Sequence, residues 1–141
     1  MPVLVDTSVW SLLFRRDQDK LDSQQRWAVE TLRRLITEKR IRVIGPIRQE
    51  LLSGIRNADQ FERLRHRFRA FEDEELTTAD YELAAQINCK CRTLGISTSP
   101  IDSLICSIAS SRHWEIFTFD EDFRHYSKAV PVRNLLSTFL A

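Results

Sequence analysis

Pro2-Val3-Leu4-Val5-Asp6-Thr7 sets three consecutive apolar residues directly before a carboxylate. An unalternated apolar run this short predicts a strand buried on both faces, as in a parallel sheet. Asp6 then falls at the strand's carboxyl end, the edge where open α/β sheets bind their ligands. Two hydroxyls and a tryptophan follow at Thr7, Ser8 and Trp10. Fold and chemistry both turn on which other segments reach that edge.

Working outward, residues 9–14 form a short apolar stretch that predicts a helical turn. Ala28, Leu32, Leu35 and Ile36 recur at helical spacing behind an Asp22 or Ser23 cap. Residues 41–44 predict a second short strand, stopped by Gly45-Pro46. Pro46 suits the first turn of a helix that buries Ile47, Leu51, Leu52 and Ile55 and carries Glu50. From Ala58 a further helix sets Phe61, Leu64, Phe68 and Phe71 on one side, while Arg63, Arg65, His66, Arg67 and Arg69 crowd the others. Residues 71–76 offer a weak strand, interrupted by Asp73-Glu74-Glu75. Thr77 or Thr78 caps a helix running to about Leu94, closed by Gly95. Ser99-Pro100-Ile101-Asp102 is a strong helix start: a Ser cap, Pro at the first position and an acid three residues after the cap. Residues 116–119 and 130–132 predict two more strands, and Leu135, Leu136, Phe139 and Leu140 an apolar tail. Strands alternating with helices predict the α/β class, a parallel sheet with helices on both faces. With 141 residues and no linker or repeat, residues 1–141 are expected to form a single domain.

No apolar run approaches the ~20 residues that span a bilayer, and the N-terminus lacks the basic and apolar regions of a secretory signal. A cytoplasmic protein with no membrane partner is expected. The net charge of +1 does not announce a nucleic-acid partner, yet 17 of the 21 basic residues are Arg. Arg is the better bidentate phosphate donor, though a GC-rich genome raises Arg equally well. Cys89, Cys91 and Cys106 lack zinc-ligand spacing and predict buried reduced thiols. Three glycines leave no room for a phosphate-cradling loop, and no G-x-S-x-G is present.

Four acids share one topological address. Asp6 ends the first strand, Glu50 lies early in the helix after the second, Asp102 sits in the first turn of its helix, and Asp120 follows the 116–119 strand. Strand carboxyl ends and the amino ends of the helices that follow lie at one edge of a parallel sheet. Singly, each acid has a local explanation as a cap or a helix-dipole partner. Two carboxylates ~5 Å apart at an effective dielectric of ~20 repel by about 3 kcal/mol, so four gathered together call for a cation. All-oxygen donors favour Mg²⁺ or Mn²⁺ over zinc. Such ions suit phosphodiester hydrolysis, activating water and stabilising the leaving oxygen.

With these residues in view, the chain resembles PIN-domain ribonucleases, in particular the VapC-type toxins of bacterial toxin–antitoxin modules. The resemblance rests on Val3-Leu4-Val5-Asp6-Thr7-Ser8-Val9-Trp10, Gln49-Glu50-Leu51-Leu52-Ser53-Gly54, Ile101-Asp102-Ser103-Leu104-Ile105-Cys106-Ser107-Ile108-Ala109 and Phe117-Thr118-Phe119-Asp120-Glu121-Asp122-Phe123. It implies an α/β/α sandwich with a central parallel sheet and a Mg²⁺- or Mn²⁺-dependent endoribonuclease. It places Asp6, Glu50, Asp102 and Asp120 in the family's acidic catalytic and metal site. Asp122 joins them as a further ligand or holds the loop, while Thr7 and Thr118 orient acids or water. Cys106-Ser107 departs from the small apolar residues usual after the third motif, which bears on packing.

The resemblance further implies a homodimer and a small VapB-type antitoxin that blocks the site, with the Phe61/Leu64/Phe68/Phe71 side as part of its groove or as plain core. Arg15, Arg16 and Arg124 are the candidates for RNA phosphate contact, and the Arg63–Arg69 run spreads around its helix as a solvated face. Single-stranded or looped RNA, such as a transfer RNA or ribosomal RNA loop, is the expected substrate. Two alternatives stand beside this reading: an RNA-processing nuclease without an antitoxin, and a PIN-like domain that binds RNA without cleaving it.

Overall fold

The structure is a computed structural model that describes residues 1–14 and 17–140. β1 (Val3–Val5) is the middle of a three-stranded parallel sheet ordered β2-β1-β3, with β2 at Ile41–Arg42 and β3 at Glu115–Phe117. Val3, Leu4 and Val5 are all 0% exposed, the burial on both faces that their apolar run predicts. Single parallel bridges extend each side of the sheet: Val43 pairs with Asp73, and Ile116 with Asn134. The 71–76 segment therefore contributes one rung, not a strand. The expected strand at 130–132 is absent; pairing moves along the chain to Asn134. The reason is local. Asn134 accepts from the Thr118 N–H through its side-chain oxygen (3.2 Å) and donates to the Thr118 carbonyl (3.0 Å), so an amide side chain extends the ladder where a strand was expected.

The helices divide into two groups. The first comprises α1 (Thr7–Leu13), α2 (Ser23–Thr37), α3 (Gly45–Ser53) and α4 (Ala58–Phe68). α1 contacts α2 and α3, and α3 contacts α4. Trp10, fully buried, anchors this layer: its ring meets Phe68 edge-on at 4.8 Å and Phe71 at 5.2 Å. Leu64 and Phe68 are core residues, while Phe71 is half-buried. Arg48 ties α3 to the end of α4, donating to the Phe68 carbonyl (3.1 Å), the Phe71 carbonyl and Asp73 (2.9 Å). A 3₁₀ turn at Gln18–Lys20 precedes α2, whose Asp22 cap forms a full capping box with Gln25.

The second group is the pair α5 (Thr78–Thr93) and α6 (Pro100–Arg112), and α6 also contacts β3. Two helical layers around a parallel sheet make the α/β/α sandwich that the chain's alternating pattern implies. Gly95, at φ +76°, ends α5 in the left-handed conformation that glycine adopts without a Cβ penalty. α6 is buried from Ser103 through Ala109, and the Ser107 hydroxyl donates to the Asp80 carbonyl (2.8 Å), so the polar departure at 106–107 packs with its hydroxyl partnered. Cys91 and Cys106 are buried, and burial pushes the Cys106 thiol up to about 12; Cys89 is exposed, against expectation, because it stands on the outer side of α5. Two short helices, α7 (Asp122–Tyr126) and α8 (Ser137–Leu140), follow β3. Among the described residues no helix is long and apolar enough to cross a membrane.

One ion pair locks α5 to α6. Arg112 donates to both oxygens of buried Asp80 (3.1 and 3.0 Å) and holds its carboxyl below the usual carboxylate range. A depressed folded-state value contributes stability above the unfolded value of ~3.9, lost as pH falls through the folded value. Urea unfolding of the parent should therefore weaken steeply below about pH 4. Asp80→Asn should flatten that slope, and Arg112→Met should cost about 2 kcal/mol at pH 7 by leaving the buried Asp80 carboxylate without its cationic partner, the Thr77 N–H remaining as a donor.

Candidate metal centre

Asp6 is the residue immediately after β1, and its backbone N–H continues the ladder to the Phe117 carbonyl (2.9 Å). Thr118 stands one residue past the end of β3, fully buried. Adjacent parallel strands thus deliver the two residues side by side, and the Thr118 hydroxyl donates to Asp6 Oδ2 (2.7 Å). The same hydroxyl oxygen accepts from the Asp120 N–H (2.9 Å), so one side chain links β1 to the acidic loop after β3. Ser8 completes the frame. Its hydroxyl donates to Asp6 Oδ2 (3.1 Å), accepts from the Phe119 N–H (3.0 Å) and lies 3.3 Å from the Thr118 hydroxyl.

The loop then folds on its own acids. The Asp122 N–H donates to Asp120 Oδ1 (2.9 Å) as α7 begins. Asp102 enters from the first turn of α6, where the Ser99 hydroxyl accepts its N–H (3.1 Å) behind Pro100. Tyr126, at the end of α7, donates its O–H to Asp102 Oδ2 (2.7 Å). Asp102, Asp120 and Asp122 each present an oxygen within 4.8 Å of the others.

Electrostatics agree with that convergence. Burial pushes the Asp102 carboxyl above the usual range, the Tyr126 bond opposes this, and the charges of Asp120 and then Asp6 push it further up. Asp6 is thus close enough for its charge to be felt at Asp102. Burial, followed by the bond to Asp102, raises the Tyr126 phenol. A cleft of about 520 Å³ opens at these residues, lined by Thr98, Ser99, Asp102, Asp122, His125 and Tyr126 among others.

The other sequence-predicted residues fall as follows. Glu50 lies exposed in the second turn of α3 and is not part of the close acidic group. The Thr7 hydroxyl is buried without a hydrogen-bond partner among the described residues, while Thr118 is fully engaged. Arg124 is exposed and pairs with Glu121 (3.0 Å). Arg15 and Arg16 lie outside the described residues. Arg63 and Arg67 line a second cleft with Leu13, Phe14, Ile55 and Leu64, the Arg67 guanidinium lying 5.2 Å over the Phe14 ring.

Three contributors escaped sequence reasoning: Ser8, Tyr126 and Asn134. Tyr126 left a usable signal, standing four residues after Asp122 and so on the same side of a helix. Asn134 left none, since its role depends on side-chain bonds to the Thr118 backbone 16 residues away.

The donor set is chemically uniform. Every close group is a carboxylate oxygen, the donor type of Mg²⁺ and Mn²⁺. The structure accommodates these charges with hydroxyl, phenol and backbone donors and leaves the carboxylates unneutralised, an arrangement that fits a divalent cation.

A family model described as PIN domain matches residues 3–129. No curated protein matches the chain by sequence. Among solved structures, FitAcB from Neisseria gonorrhoeae superposes with a TM-score of 0.72 at 20% identity, covering 94% of this chain and 95% of that one. VapBC2 from Rickettsia felis, bound to a DNA fragment from its promoter, gives 0.70 at 17% identity, covering 95% and 97%. A toxin-antitoxin complex from Klebsiella pneumoniae gives 0.61 at 16% identity, covering 86% and 89%.

The geometry makes a direct prediction. Asp120→Asn should lower the apparent pKa of Asp102, and Asp6→Asn should lower it by less, following the order of their charges' effects. Carboxyl-carbon NMR titration of Asp102 reads both; an unmoved Asp102 in Asp120→Asn would contradict the convergence.

Proposed function

The chain belongs to the PIN-domain family, and from that premise we propose that it is a Mg²⁺- or Mn²⁺-dependent endoribonuclease, the toxic component of a toxin–antitoxin pair. The observation that carries the proposal is the meeting of Asp102, Asp120 and Asp122 within 4.8 Å, with the charge of Asp6 felt at Asp102. In this reading Asp6, Asp102, Asp120 and Asp122 hold the ion, and Glu50, exposed on α3 outside the close group, is a fifth acid assigned to the metal and catalytic set. The ion, when bound, supplies an activated water and charge stabilisation at the phosphate.

The protein's own residues do the rest. Thr118 and Ser8 orient Asp6 and tie it to the loop of Asp120. Tyr126 and the α6 cap orient Asp102. The open cleft beside Asp102 and Asp122, with hydroxyls at Thr98 and Ser99 and an imidazole at His125, offers hydrogen bonds to a ribose or an unpaired base. A single strand or loop fits such a cleft better than a closed duplex, whose bases are not accessible; a transfer RNA or ribosomal RNA loop meets that condition. Arg124, Arg15 and Arg16 are assigned to the flanking phosphates, a salt-sensitive contribution.

The toxin assignment draws on the neighbours, among them VapBC2 and a toxin-antitoxin complex. By analogy with them this chain pairs with a small VapB-type antitoxin, and we extend the assignment to a homodimer working in the cytoplasm. The cleft of Leu13, Phe14, Ile55 and Leu64, rimmed by Arg63 and Arg67, is a suitable seat for the antitoxin's apolar side.

Asp6→Asn removes one charge at nearly constant size. Losing several kcal/mol of charge stabilisation corresponds to a fall of about 100-fold or more in RNA cleavage. Cleavage should stop with a chelator and return with Mg²⁺ or Mn²⁺. Sequencing the RNA ends made after brief induction, beside the Asp6→Asn control, identifies the target. Equal cleavage and equal growth inhibition by parent and Asp6→Asn would overturn the assignment. An unchanged growth defect in the presence of every co-purifying small protein would remove the antitoxin.

A further inference from the structure

Tyr126 is a large side chain whose burial alone does not account for its position. It is 2% exposed, and its ring meets Phe123 edge-on at 5.0 Å, contacts that a phenylalanine would make equally well. What a phenylalanine lacks is the hydroxyl. That group donates to Asp102 Oδ2 at 2.7 Å, across 24 residues of sequence and from α7 to α6. The partner is an acid already crowded by Asp120 and Asp122.

The spacing explains what the bond does. Asp122 and Tyr126 are four residues apart, at the two ends of α7, and therefore lie on one side of it. Asp102 is approached by both: Asp122 shares the acidic group with it, and Tyr126 bonds one of its oxygens. α7 thus presents a ligand and a clamp from a single turn. Without the clamp, repulsion among three acids within 4.8 Å would favour an Asp102 side chain turned away from the other two. A phenol can oppose that motion without cancelling charge, because it donates a hydrogen bond and stays neutral.

We infer that Tyr126 is a positioning residue of the metal centre, its hydroxyl holding Asp102 in place for the divalent cation. The inference rests on the reading of Asp102 as a metal ligand. Hydrogen-bond partners of ligands typically govern metal affinity by about 10- to 100-fold.

The test is a Mn²⁺ titration of the purified full chain, with free Mn²⁺ followed by electron paramagnetic resonance. Tyr126→Phe, which keeps the ring and its packing, should bind Mn²⁺ about ten-fold more weakly. Its RNA cleavage should need correspondingly more Mn²⁺ and return close to the parental rate when the metal is saturating. Phe68→Leu, a core change in the Trp10 cluster, serves as the control for general loosening and should leave Mn²⁺ affinity within about two-fold of the parent. Three results would overturn the inference: parental Mn²⁺ affinity in Tyr126→Phe, an equal loss in Phe68→Leu, or a cleavage defect that saturating Mn²⁺ does not relieve. Asp102→Asn separates the two levels. If it abolishes binding while Tyr126→Phe binds Mn²⁺ as tightly as the parent, the clamp is wrong and the metal site stands; if it binds as the parent does, the metal reading itself falls.

Discussion

One hydroxyl joins the two ends of the candidate site. Thr118 donates to Asp6 and accepts from the Asp120 N–H, so the acid after β1 and the loop after β3 cannot move independently. The link is possible only because β1 and β3 are adjacent and parallel, with Val5 opposite Phe117. A one-residue slip in that register would turn Thr118 to the other face of the sheet and take its hydroxyl from Asp6. Asn134 guards against the slip by bonding both backbone groups of Thr118 from the outer side. The burial of Val3 to Val5, the ladder and the acidic edge thus form one chain of cause.

The elements that could be read from the sequence are those whose signals are local. The β1 run, the Asp22 and Thr77 capping boxes, Gly95 and the Ser99-Pro100 start all depend on neighbours within a few residues, and all fall within a residue or two of expectation. The edge of the sheet was not readable in the same way. Asp73 and Asn134 pair through single rungs, where neither residue carries strand propensity and the partner lies far away. The apolar pattern at Val130 and Val132 instead misled: Val130 is buried by the turns after α7, so its apolar character reports packing and not pairing.

The site divides along the same line. That Asp6, Asp102 and Asp120 should share an edge follows from parallel topology, since strand ends and helix starts are marked in the sequence. Which of them lie closest does not follow. Asp122, the first residue of α7, joins Asp102 and Asp120, while Glu50 stays exposed on α3. Side-chain direction on a short helix is set by the tertiary contacts of α7, notably buried Phe123 and Tyr126, and these are not visible in the Asp-x-Asp spacing alone.

The manner in which the acids are satisfied is itself informative. Elsewhere in the chain several carboxylates meet guanidinium groups, among them Asp80 with Arg112, Asp73 with Arg48, Glu74 with Arg42 and Glu121 with Arg124. Among the described residues, Asp6, Asp102, Asp120 and Asp122 have no such cationic partner. Their bonds come instead from Ser8, Thr118, Tyr126 and a backbone N–H. A guanidinium would stabilise the acids more strongly, but it would also fill the space between them and cancel their charge. Neutral donors fix direction and leave the negative potential intact. Such an arrangement orients the carboxylates while leaving them charged, which is what the divalent cation proposed for this centre would require.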